Sequence, residues 1–162
     1  MSMTRSTNKG FTLIEVLIAL LVLAIGLLGM ASLTMTSLQG NQSAYLRGQA
    51  SLLAGDIIER MRGNSAQALL AQSPYLVSLT SGNQPSDPDC KGTNDGCTPS
   101  QQAAQDIHDW WLNLQASIPG ASATISRAGT NQFQIVISWT ESDSQQRATT
   151  TQAKDFTLRV NL

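Results

Sequence analysis

The sequence predicts an α+β fold: one long N-terminal helix, greasy in its first half and amphipathic in its second, packed on a small antiparallel sheet. Three observations carry this. From Val16 through Ala31 every residue is apolar or glycine, and no charge stands between Glu15 and Arg47. Leu46, Ala50, Leu53, Ile57 and Met61 then recur at spacings of four, three, four and four, the stripe of a helix with one buried face. Near the C-terminus, Phe133, Ile135, Ile137 and Trp139 alternate with polar residues, as do Phe156, Leu158, Val160 and Leu162, the period of half-buried strands.

The helix is expected from Phe11 to Arg62. No proline interrupts Phe11 to Gln72, and Gly63-Asn64 supplies a stop. Arg47, Gln49, Asp56, Glu59 and Arg60 fall largely on the faces away from the stripe. Residues 65–79 are ambiguous, with Ala68, Leu69 and Leu70 suited to a short helix that Pro74 would end. Residues 81–99 read as loop, punctuated by Gly82, Pro85, Pro88, Gly92, Gly96 and Pro99. A second helix opens at Thr98 as N-cap, with Pro99 in its first position and Gln101 completing a capping box. Its expected core face is Ala104, Ile107, Trp111, Leu114 and Ile118, which leaves Trp110 half-exposed. Ala123–Arg127 is a weaker strand, joined through Gly129-Thr130-Asn131 to the strand at 132–140. Three strands under the amphipathic half-helix would complete one small domain.

Composition narrows the function. The chain has 162 residues, room for one domain and an anchor, with a formal charge of −1. That gives no basic footprint for nucleic acid. One histidine and two cysteines fall short of most zinc or haem ligand sets. Cys90 and Cys97 flank Lys-Gly-Thr-Asn-Asp-Gly, and an extracytoplasmic disulfide fits better than a metal site that only His108 could join. The stretch Asp106-Ile107-His108-Asp109-Trp110-Trp111 holds residue types used in catalysis, but no nucleophile motif accompanies it. No enzymatic activity and no cofactor are expected.

The N-terminal segment is the most specific feature. Arg5 and Lys9 precede Gly10, Phe11 follows, and Glu15 stands just inside the apolar run. A carboxylate at a membrane helix centre costs roughly 2.5–3.5 kcal/mol on insertion scales, so Glu15 calls for a partner. An ordinary secretory signal has a shorter apolar core without an internal charge, and a plain signal anchor has no use for Glu15. Any anchored reading of this segment keeps Arg5 and Lys9 in the cytoplasm and sends the rest of the chain outside.

Lys9-Gly10-Phe11-Thr12-Leu13-Ile14-Glu15-Val16 and the run behind it resemble the class III signal sequence of type IV pilins and of the related pseudopilins of type II secretion. The resemblance implies that the prepilin peptidase cuts after Gly10 and methylates the new amine of Phe11, removing residues 1–10 as a leader. It implies a transmembrane and filament-core segment at 11–38 and a pilin-like periplasmic head over 39–162. Losing Arg5 and Lys9 would leave eight basic against eleven acidic residues, or −3. The family's glutamate, carried onto Glu15, is implied to face the N-terminal amine of a neighbouring subunit. Implied partners are other minor pilins and the major pilin, the prepilin peptidase, the inner-membrane assembly platform and the membrane itself, crossed once. Gly26 and Gly29 fit either close helix packing or local unwinding within a filament.

The Gly10–Ala19 run and the Phe156–Leu162 ending lean toward minor pilins of the PilV-type group, which prime pilus assembly. A minor pseudopilin of type II secretion is the alternative. A membrane-anchored periplasmic binding domain that never polymerises is a third reading, which Glu15 opposes.

Overall fold

A computed structural model describes residues 10–90, 92, 96–142 and 151–162. Residues 1–9, with Arg5 and Lys9, residues 91 and 93–95, and residues 143–150 lie outside the described set. The elements in chain order are α1 (Leu13–Gly63), α2 (Ser65–Ala68), β1 (Val77–Leu79), α3 (Pro99–Ser117), β2 (Ser122–Arg127), β3 (Gln132–Ser142) and β4 (Thr151–Asn161). The chain forms two compact units, the first ending at Gly40 within α1 and the second covering Asn41–Leu162.

In the first unit α1 buries nothing. Its apolar window has no residue covered by the rest of the chain, and it is long and apolar enough to cross a membrane. Leu20, Leu21, Val22 and Leu23, successive residues that point to all sides of the helix, are each more than half exposed. A helix hydrophobic on every face is stable only in lipid or among other helices.

In the second unit the expected stripe is the observed one. Ala50, Leu53, Ile57 and Met61 are buried, joined by Ala54 and Ile58, with Leu46 packed at the margin. They close over a four-stranded antiparallel sheet in the order β1-β2-β3-β4. Phe133, Ile135, Ile137 and Trp139 of β3 point into this core, as their alternation predicts. Phe156, Leu158, Val160 and Leu162 point the same way but stay half-buried, because β4 is the outer strand.

Three expectations change. The sheet has a fourth strand, β1, paired with β2 as Val77↔Ile125 and Leu79↔Ala123; three residues carry no readable period, so only the pairing reveals it. Along α3 the small buried residue is Ala103, while Ala104 is half-covered. Trp110 is completely buried rather than half-exposed. Its indole N–H donates to the main-chain carbonyl of Leu53 in α1 at 2.8 Å, using that oxygen's spare lone pair. With Trp110 and Trp111 both inside, the covered stripe of α3 is wider than one helical period assigns.

The start of α3 is as the sequence dictates. The Thr98 hydroxyl accepts from the Gln101 N–H, and the Gln101 side chain accepts from the Thr98 N–H, with Pro99 behind the cap. Arg127 closes the far side of the head. Its guanidinium donates to the Thr130 carbonyl at 2.8 Å and to the carbonyls of Ala68 and Leu70, and lies 5.0 Å from the Phe133 ring centre.

Candidate functional site

Three sites follow from the sequence: the N-terminal segment, the cysteine pair and the polar stretch of α3. At the N-terminus, Thr12 stops the helix from running backwards. Its hydroxyl and its carbonyl both accept from the Glu15 N–H, at 3.3 and 3.1 Å, and the carbonyl also accepts from Val16. Thr12-Leu13-Ile14-Glu15 is thus an N-cap with glutamate at the third helical position, a pattern the membrane reading of this stretch overlooked. Glu15 is the acidic residue of the first turn, where the helix dipole favours negative charge.

Gly10, Phe11, Thr12 and Glu15 surround one open hollow. Phe11 is 81 % exposed. The Glu15 carboxylate is exposed and has no ion-pair partner among the described residues. A Cβ placed on Gly10 would meet nothing within 4 Å. No close contact among the described residues therefore demands glycine there.

Cys90 and Cys97 are disulfide-bonded, with Cα atoms 5.0 Å apart. Both thiols are thereby consumed, which removes the ligands a metal site in this loop would need. Cys90 is buried, and Cys97 directly precedes the Thr98 cap. The bridge therefore ties the loop to the entry of α3. No group of three or more metal-ligating side chains occurs among the described residues.

The polar stretch of α3 builds a strut. Asp106 is buried and accepts from the Tyr75 hydroxyl at 2.6 Å and from Gln102 at 2.8 Å, with the Arg60 guanidinium 3.6 Å away. Arg60 in turn donates to Asp56 one turn earlier on α1. Burial pushes the Tyr75 phenol pKa up, and its hydrogen bond to anionic Asp106 pushes it further. Asp106 thus joins α1, α3 and the segment before β1. His108 sits beside Asp109, with Nδ1 3.6 Å from its carboxylate. These are structural contacts, not a nucleophile and base.

The prokaryotic N-terminal methylation motif matches residues 5–31. The family described as Type IV pilin Tt1218 matches residues 32–108, so the two matches adjoin and together cover more than half of the chain. The chain is a type IV pilin. No curated protein and no solved structure matches it. The matched pilin region takes in the head half of α1, α2, β1 and the first half of α3; β2, β3 and β4 lie beyond it. Type IV pilins are structural proteins, not enzymes, and this pilin carries the signal motif and the exposed apolar helix of a membrane-anchored chain.

Proposed function

We propose that this pilin is a minor pilin of the PilV-type group, which helps to prime type IV pilus assembly. It would be cut after Gly10 by the prepilin peptidase, methylated at Phe11, held once across the inner membrane with its head outside, and then drawn into the pilus at the cell surface. Its partners would be other minor pilins, the major pilin and the assembly platform. One observation carries the reading. Glu15 has no ion-pair partner among the described residues and heads an apolar helical window that the rest of the chain leaves uncovered, beside an exposed Phe11 and a Gly10 with no described side-chain neighbour. The first helical turn accommodates a negative charge at Glu15 but gives it no partner, and no described contact calls for Gly10 or covers Phe11; assembly would account for all three. Glycine admits the protease, and the freed Phe11 amine of one chain meets the Glu15 carboxylate of the next. In low dielectric that attraction is far stronger than in water.

The alternative, a minor pseudopilin of type II secretion, shares the signal; the match to a type IV pilin family favours the pilus. Mass spectrometry of the native membrane protein tests processing: methylated Phe11 is expected at the N-terminus, and a retained leader sinks the proposal. Glu15→Leu tests assembly. The variant is expected in the membrane at wild-type level and cleaved, yet depleted from sheared filaments. Normal recovery in filaments would remove the role given to Glu15.

A further inference from the structure

Among the described residues, none pairs with the outer edge of β4. Leu162 donates its N–H to the Asn131 carbonyl at 3.0 Å, and the β3–β4 register runs on from there without a break. Even-numbered residues of β4 therefore bond to β3. Ala153, Asp155, Thr157, Arg159 and Asn161 turn their N–H and C=O groups outward instead. The usual defences of an edge are sparse here. β4 has no proline and no bulge, and Lys154 is its single inward charge. Phe156, Leu158 and Val160 remain half-exposed beside this edge. Asp155 and Arg159, on the opposite face, have no ion-pair partner among the described residues; Arg159 donates to Gln134.

A second copy offers the first candidate occupant. Antiparallel pairing about Thr157 would set Asp155 against Arg159 twice and match the strand over nearly its full length. Its two-fold axis, however, stands perpendicular to the sheet and reverses residues 41–63 of α1, which pack on that sheet. Subunits of one filament share a common sense, which a two-fold pair of heads does not, so a second copy paired in this way is not the occupant. A neighbouring pilin head with the same orientation and topology presents its first strand, which runs antiparallel to β4. In this chain that strand is only three residues long against eleven in β4.

We propose that β4 is a docking edge for the first strand of a different pilin, one whose strand is longer than β1. The docked strand sets apolar side chains against Phe156 and Leu158, an acid opposite Arg159 and a base opposite Asp155. The two edges of the head are then unequal: β4 accepts a neighbour, whereas β1 offers little to the next. A row of heads joined in this way ends at this chain.

The inference rests on the pilus reading, so the experiment carries a separate probe of assembly. A photo-crosslinking phenylalanine analogue is placed at Asn161 or, independently, at Leu28 in the full chain in its native cells. The expected Asn161 adduct is with another pilin, mapped to that protein's first strand. In the Asn161 background, Thr157→Pro removes an outward N–H without touching the β3 ladder and is expected to lower the adduct about tenfold or more. Arg159→Glu, which leaves the backbone free of proline, is expected to lower it as well and serves if the proline variant does not fold. Four results overturn the proposal: an Asn161 adduct with a second copy, one with a protein that is not a pilin, no Asn161 adduct where Leu28 crosslinks to pilins, or an adduct that neither substitution reduces. Silence at both positions would sink the pilus reading and this inference with it.

Discussion

The two halves of α1 show what a helix needs from its surroundings. From Leu13 to Gly40 nearly every side chain is exposed, and the apolar ones have nothing in the chain to bury against. From Leu46 onward a single stripe is covered and the remaining faces are polar or open. The same backbone geometry serves both; only the width of the apolar face differs. The first half is unfinished without lipid or other helices, whereas the head completes its core from its own strands and α3. Substitutions should therefore separate cleanly, with head changes felt as stability and first-half changes felt only in assembly.

Trp110→Ala is the sharpest way to test that separation. It empties a fully buried site and leaves the indole's hydrogen bond to Leu53 unmade, a loss of about 3–5 kcal/mol. Thermal unfolding of the protein in detergent, followed by near-ultraviolet circular dichroism, should show it. Leu28→Ala, in the exposed half, should leave the same transition in place. A comparable shift from both would mean that the two halves are not energetically separate.

Removing the bridge comes next. The chain-entropy estimate for closing the eight residues from Cys90 to Cys97 is about 2.5 kcal/mol. Cys97→Ser, or reduction, should loosen residues 86–99 first, read as faster hydrogen exchange there and at the start of α3. Thiol labelling of native protein without reductant should fail; ready labelling would show the bridge absent.

Tyr75 gives a smaller, pH-dependent effect. Its folded pKa lies above the unfolded value of about 10, so the folded state holds the proton where the unfolded state has lost it. That contribution is complete below pH 10 and is lost as pH rises beyond it. Tyr75→Phe should cost about 1–3 kcal/mol at neutral pH through the lost bond to Asp106. It should also flatten the alkaline decline measured by urea unfolding at pH 8 to 11. An unchanged slope would remove Tyr75 from that account.

Thr12→Ala is the mildest, about 1 kcal/mol of cap lost at an exposed helix end. Head unfolding should not move, while hydrogen exchange at Glu15 and Val16 should quicken.

Local rules were readable and tertiary ones were not. Thr98, Pro99 and Gln101 announce their helix because every cap contact lies within three residues. The strands at β3 and β4 announce themselves by alternation, although the polar start of β4 from Thr151 depends on its ladder with β3. Trp110 misled because its acceptor, Leu53, lies on another helix. Asp106 and Tyr75 meet across 31 positions, and no spacing rule links them. At the N-terminus the sequence named Gly10, Phe11 and Glu15 but passed over Thr12, whose cap was legible from its distance to Glu15.

The loop between β1 and α3 is pinned at both ends. Asn83 donates to the Ser78 carbonyl at 2.8 Å on one side, and Asn64 donates to the Pro99 carbonyl at 2.7 Å on the other. The Cys90–Cys97 bridge and the buried Cys90 hold its second half, whereas Gln84 is exposed before them, so added length there changes little but closure entropy, about 0.6 kcal/mol for each doubling. A short epitope inserted between Gln84 and Pro85 would leave the core, the cap and the open edge of β4 in place. It would make this loop a tag site for testing whether the chain enters a pilus, and in how many copies.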